Sequence, residues 1–241
     1  MPEMSDPQPG PYTTTLSERE VTRAGNPGNP TGEFGAQMLH RMNSSHGAVT
    51  DWALDKLHFE PHFHTLDIGC GGGATMRRHL ARMVKAAEDN GTDFTDLAKF
   101  PGHVTGVDYS STSCCESSNL NAEDIAAGRM DVVEASVEDL PFEDGSFDIV
   151  TTVESFYFWP DPAANLREVA RVVKPGGHFL LVADIYRTDE LSEETLQNVR
   201  EHDLTVLTPK EYRNLFAQAG FSACDVHLNP GTTWIAIEGV R

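Results

Sequence analysis

Residues with the types and spacing to hold a ligand gather first in the nine-residue run TLDIGCGGG, which places Asp67, Gly69, Gly71 and Gly73 at a turn from an apolar strand into a helix. Glycine lets the backbone approach a ligand closely, and the helix N-terminus beyond it supplies unpaired N–H groups that favour an anionic group. A tight βα turn would use the same glycines for geometry alone. The nicotinamide fingerprint G-x-G-x-x-G would end at position 74, where Ala stands, and its last position tolerates that residue. The loop by itself leaves the cofactor open.

A second feature narrows the choice. The run VTGVDYS puts Asp108 at the carboxyl edge of a strand that would lie beside the glycine loop, where a carboxylate can accept both hydroxyls of a ribose. The competing role of Asp108, a charge at the next helix N-terminus, falls better to Ser110, the stronger N-cap residue. Further on, TTVESFYFWPD exposes Glu154, Tyr157, Phe158 and Trp159 at a strand end, where open α/β sheets admit ligands. Some of these aromatics are expected in the core, but Glu154 is not, because a buried unpaired carboxylate is costly. Upstream, Met42, Asn43 and His46 share one helix face, so His46 could orient an acceptor or take its proton if that helix covers the site. A surface histidine is the alternative.

The elements that must carry these residues alternate. Strands are expected at 64–69, 103–108, 130–135, 147–153 and 178–184, and helices at 74–87 and 111–127. Asp161 with Pro162 starts another helix, whose buried face carries Leu166, Val169, Ala170 and Val173 and which KPGG (174–177) breaks. Thr208, Pro209 and Glu211 form a capping box for a helix that Gly220 closes, and two strands near 222–228 and 232–239 end the chain. Strands interleaved with helices predict a parallel α/β sheet, and the short NPG link predicts a final antiparallel hairpin. Residues 32–60 read as an appended helical cap. Residues 1–31, rich in Pro, Gly, Asn and Thr, read as a flexible arm, with a single domain over 61–241.

In this order, TLDIGCGGG, VTGVDYS, VEDLPFEDGSFDIV and LREVARVVKPGGHFLLV resemble the successive motifs of class I S-adenosylmethionine-dependent methyltransferases. The resemblance implies a Rossmann-like, seven-stranded, mostly parallel sheet with a C-terminal antiparallel hairpin. It implies S-adenosyl-L-methionine as cofactor, with Asp67, Gly69, Cys70, Gly71 and Gly73 around its methionine end. Asp108 would bind the ribose, with Tyr109 and Ser110 beside it and Tyr109 along the adenine. Ser136, Val137 and Glu138 would meet the adenine, although Ser136 stands where the family usually has an aspartate. Asp108 also falls 35 residues after Gly73, instead of about 20. The extra connection, within 84–102, should enter the sheet edge away from the ligand and serve surface or oligomer contacts, a homodimer being one option.

The resemblance makes a small-molecule methyl acceptor the first reading, with His46, Glu154 and Tyr157 as candidate catalytic groups. A nicotinamide-dependent oxidoreductase and a catalytically silent cofactor-binding protein are the alternatives. The chain of 241 residues carries 18 Lys plus Arg against 37 Asp plus Glu, a net charge of −19 that disfavours nucleic acid and anionic lipid. The absence of a long apolar run or a signal-like N-terminus leads to the expectation of a cytoplasmic protein without a membrane partner. Cys70, Cys114, Cys115 and Cys224 form no CxxC, and no histidine spacing assembles a ligand set, so no metal is expected.

Overall fold

A computed structural model describes residues 16–91 and 100–241. Its frame is a seven-stranded sheet in the order β3-β2-β1-β4-β5-β7-β6. The strands are β1 (His64–Ile68), β2 (His103–Asp108), β3 (Met130–Glu134), β4 (Phe147–Val153), β5 (Val173–Ala183), β6 (Ala223–Leu228) and β7 (Ile235–Val240). Neighbours from β3 to β5 pair in parallel, and β7 runs antiparallel to both β5 and β6. The chain order reverses between β1 and β4, so the carboxyl ends of β1 and β4 diverge into a crevice.

Alternation along β1 decides which side chains reach which layer. Leu66 and Ile68 join a core with Leu166 and Val169 of α7 (Pro162–Val172) and Tyr212 and Phe216 of α9 (Pro209–Ala219). On the other face, Met76, Leu80 and Met83 of α4 (Ala74–Asp89) and Val49, Ala53 and Leu54 of α3 (Gly47–Leu54) pack over Val104, Ile149 and Leu180. The expected caps form. Asp161 accepts from Ala163 and Ala164 N–H, and Thr208 and Glu211 cap α9 reciprocally.

Three expectations change. The helix expected at 111–127 is two, α5 (Ser111–Leu120) and α6 (Ala122–Ala126), broken where the Asn121 side chain donates to Gly73 O and Ser117 O. KPGG does not separate helix from strand. Strand β5 begins directly at Val173, and residues 174–177 bulge within it, since Phe147 pairs with Val173 but Ile149 pairs with His178. The arm expected over 1–31 is folded from residue 17 onward, and residues 1–15 lie outside the described residues. Ser17 and Glu20 form a capping box for α1 (Glu18–Gly25), and buried Val21 and Gly25 pack it against α2 (Gly32–Ser45). Composition hid a helix whose S-x-x-E start was readable.

Of the connection within 84–102, residues 92–99 lie outside the described residues. What is described sits at the N-terminal edge of the sheet, as parallel geometry requires. Phe100 is buried there, and Gly102 lies against Pro61 and Met83.

Candidate active site

A cavity of about 740 Å³ opens along the carboxyl edges of β1 to β5, within the size range of small-molecule sites. Its floor is made by Gly69 to Gly72 after β1, Asp108 and Tyr109 after β2, Ser136 to Glu138 after β3, Glu154 to Trp159 after β4, and Asp184 after β5. Met42, Asn43 and His46 from the α2–α3 corner form one wall. The opposite wall is α8 (Glu193–Glu201), which contributes Glu194, Thr195 and Asn198. Segment 26–30 and α1 cross the top, with Arg19, Thr22, Gly28 and Pro30 facing in. Exposed ion pairs Arg19–Glu194 and Arg23–Glu201 tie α1 to α8 over the cavity.

The glycine loop is shaped for contact. Gly69 and Gly71 have positive φ, +70° and +53°, which disfavours side chains. A Cβ on Gly69 would also overlap the Ser155 hydroxyl, so β1 and β4 can approach only with glycine there. The Asn43 side chain donates to Gly72 O at 3.0 Å and holds the loop against α2.

Asp108 is buried at the β2 end. Its Oδ2 accepts from Gly71 N–H at 3.0 Å and its Oδ1 from Ser110 N–H at 2.9 Å, leaving a free lone pair on each oxygen for further donors. Burial raises its pKa above the usual carboxylate value, against the lowering by those N–H groups. Tyr109 keeps its ring half exposed beside the cavity and donates its hydroxyl to Gly28 O. After β3, Ser136 Oγ donates to Glu138 Oε2 at 3.1 Å and accepts Glu138 N–H at 3.2 Å, so the hydroxyl is already engaged in a local turn.

Three residues expected at the ligand do not line the cavity. Asp67 points to the α4 face, opposite Leu66 and Ile68, and its Oδ1 accepts from Thr151 Oγ1 at 2.7 Å. Thr151 and Thr65 in turn meet the two ring nitrogens of buried His79, at 3.2 and 3.1 Å. Burial pushes Asp67 up to about 7 and holds His79 down to about 3. Gly73 packs on α5, where a Cβ would meet Ser117 and Asn121. Ser110 caps α5 through Ser113 N–H and donates its hydroxyl to Pro30 O. The expected neighbours Gly69, Cys70, Gly71, Asp108, Tyr109, Ser136, Val137, Glu138, His46, Glu154 and Tyr157 all line the cavity.

The β4 and β5 ends bring together a cluster the sequence did not reveal. Glu154 has φ +55°, an unfavourable backbone for a side chain, and its Oε1 accepts Asp184 N–H at 2.5 Å. Tyr157 donates to Asp184 Oδ1 at 2.9 Å and accepts Ile185 N–H at 3.2 Å. Burial, then the neighbouring Asp184 charge, raises Glu154 well above the usual carboxylate range, and burial likewise raises Tyr157. His46 ends α2, its backbone N–H donating to Met42 O. Burial lowers its pKa, partly opposed by Asp184, so its imidazole is held neutral. Asp184 escaped notice because it is one acidic residue among 37, and only the β4–β5 pairing sets it beside Glu154.

Residues 88–181 match the methyltransferase domain family, a span from the end of α4 through most of β5. A sarcosine/dimethylglycine N-methyltransferase of Halorhodospira halochloris is 32% identical over 140 residues, 55% of this chain and 50% of the relative. Over these spans the chain is similar to S-adenosylmethionine-dependent methyltransferases. A tocopherol O-methyltransferase of Arabidopsis thaliana is 32% identical over 132 residues, 55% of this chain and 33% of the relative. The chain thus spans half or less of the length of these curated relatives. The geranyl diphosphate C-methyltransferase of Streptomyces coelicolor, solved with S-adenosyl-L-homocysteine, superposes with a TM-score of 0.62 at 16% identity, covering 93% of this chain and 97% of that one. These relatives are methyltransferases, not nicotinamide oxidoreductases. The family match starts after the glycine loop, whose separation from β2 is lengthened in this chain.

The family's cofactor fits the cavity. Asp108 offers lone pairs for a diol, the glycine loop leaves no side chain in the way, and α4 starts at the cavity with Ala74 and Thr75 facing it. Among the described residues, no group of three or more His, Cys, Asp or Glu is placed to hold a metal ion, and no helix is long and apolar enough to cross a membrane.

Proposed function

We propose that this protein transfers a methyl group from S-adenosyl-L-methionine to a small-molecule acceptor. One observation carries the reading. A single cavity joins a diol-accepting carboxylate and glycine loop, at the β1–β3 ends, to a separate polar cluster of His46, Glu154, Tyr157 and Asp184 at the β4–β5 ends. The first half suits a nucleoside with a charged amino-acid tail, and the second is left for an acceptor.

In this reading Asp108 takes the ribose hydroxyls, and Gly69, Cys70 and Gly71 bound the methionine portion. Tyr109 flanks the adenine, which Ser136, Val137 and Glu138 border. Because the Ser136 hydroxyl is engaged with Glu138, the backbone N–H of Val137 is the available donor to the ring. When bound, the cofactor supplies a methyl carbon already activated by its sulfonium. The residues therefore have to align the acceptor lone pair behind that carbon and exclude water, and such positioning can supply about 7–11 kcal/mol of the barrier. A base adds about 100- to 10,000-fold where the acceptor must lose a proton, and neutral His46 is the group placed for it.

Calorimetric titration with S-adenosyl-L-methionine, S-adenosyl-L-homocysteine and NADH tests the reading. Binding of the first two and not the third is expected, followed by label transfer from methyl-labelled cofactor into fractionated metabolites. Binding of NADH alone would overturn it. A cytoplasmic location belongs to the same proposal, supported by four cysteines all present as free thiols.

A further inference from the structure

The cavity's two ends differ in charge chemistry, and the β4–β5 end is the more demanding. Glu154 and Asp184 converge there, linked by the Asp184 N–H and both within reach of Tyr157. Among the described residues neither carboxyl group has a Lys or Arg in an ion pair, whereas several half-buried acidic groups elsewhere in the chain do. Asp124 is held by Arg129, Glu168 by Arg171, and Asp148 by Lys174. The basic group felt at this corner, Arg41, is occupied by Glu18 O and Thr22 Oγ1 and faces His46. The hydroxyl of Tyr212, wholly buried in the core behind this corner, is close enough to Glu154 to feel its charge. Around this polar point the cavity is apolar, with Met42, Phe158, Ile185 and Leu204.

We infer that the methyl acceptor is an amine carried on an apolar body, held as its ammonium ion between Asp184 and Glu154. The inference rests on the methyltransferase reading and names its substrate class. An ammonium group supplies the charge this corner lacks, and its N–H groups match carboxyl acceptors. An anionic acceptor would meet two carboxyl groups and no free cation. For transfer, the ammonium gives one proton to the neutral imidazole of His46. The freed nitrogen lone pair then forms the N–C bond to the methyl as the C–S bond breaks, its electron pair remaining on sulfur. The product is the N-methylated ammonium ion, and His46 passes its proton to solvent.

The test is binding, which needs no turnover. The full chain is first titrated with S-adenosyl-L-homocysteine. Failure at this step overturns the methyltransferase reading, and the amine proposal with it. The saturated protein is then titrated at neutral pH with 2-phenylethylamine, 2-phenylethanol and phenylacetate, which share a body and differ in charge. The amine should bind at least about tenfold more tightly than the alcohol, and phenylacetate more weakly than either. Asp184→Asn should erase that preference while leaving S-adenosyl-L-homocysteine affinity within about twofold, and Glu154→Gln should reduce it, which covers a failure of the first variant to fold. Equal binding of amine and alcohol, preference for phenylacetate, no amine binding at millimolar concentration, or a preference that survives Asp184→Asn would each overturn the amine assignment with cofactor binding intact.

Discussion

Replacing Asp108 should separate cofactor binding from folding. The carboxylate accepts two backbone N–H groups, from Gly71 and Ser110, and each such charge-assisted bond is worth about 1.5–3 kcal/mol. Removal would look costly for the fold, but the raised pKa says that burial penalises the charged form by more than those bonds favour it. Asp108→Asn removes the buried charge and keeps an oxygen that can accept one of the two N–H groups. Stability at pH 7 should therefore change by no more than about 1–2 kcal/mol, a few degrees in Tm for a chain of this size. Binding has no such compensation. Two ribose hydroxyls lose charge-assisted acceptors, about 3–6 kcal/mol in all, and even with one bond retained the affinity for S-adenosyl-L-homocysteine should fall at least about tenfold. Calorimetry and thermal melting on the same samples measure both quantities. Unchanged affinity, or a Tm loss large enough to explain the binding loss by unfolding, would refute this reasoning.

Three further outcomes follow from the same geometry. His46→Ala should lower turnover with the true acceptor far more than cofactor affinity, and because burial lowers the His46 pKa, wild-type activity should persist to pH values below the ordinary histidine range before its acid limb appears; equal turnover in the variant would return His46 to a passive wall. Asp67 holds its proton to about pH 7 when folded but releases it near 3.8 when unfolded, so folding stability contributed by this group is lost as pH rises through that window, up to about 4 kcal/mol; the Tm of Asp67→Asn should gain on wild type between pH 5 and pH 8, and a constant difference would show Asp67 ionised throughout. Deleting residues 1–31 should lower Tm and weaken cofactor binding together, because Val21 is buried against α2 and Gly28 and Pro30 receive the hydroxyls of Tyr109 and Ser110; an unchanged Tm would restore the flexible-arm expectation.

The sequence by itself determined the succession of strands and helices, the mostly parallel sheet with its final hairpin, and the residues that gather at the ends of β1 and β2. Those features are local. A period of two or of 3.6, a capping box, or glycines at a βα turn act over a few residues, and parallel geometry places the ends of β1 and β2 side by side once the strands are found. Asp108, Gly69 and Gly71 were legible for that reason. Asp67 and Gly73 lay in the same motif but were misplaced, because only the β1 alternation against packed layers turns Asp67 toward Thr151 and His79. Likewise, Asp184 became visible only through the pairing of β4 with β5, and the roof of α1 and α8 only through contacts between segments some 175 residues apart. Burial made the last distinction. The sequence supplies carboxyl groups and histidines in plenty, but the tertiary structure gathers Glu154, Tyr157 and His46 around one cavity, and desolvation in that shared corner shifts their pKa values and makes them a candidate acceptor site.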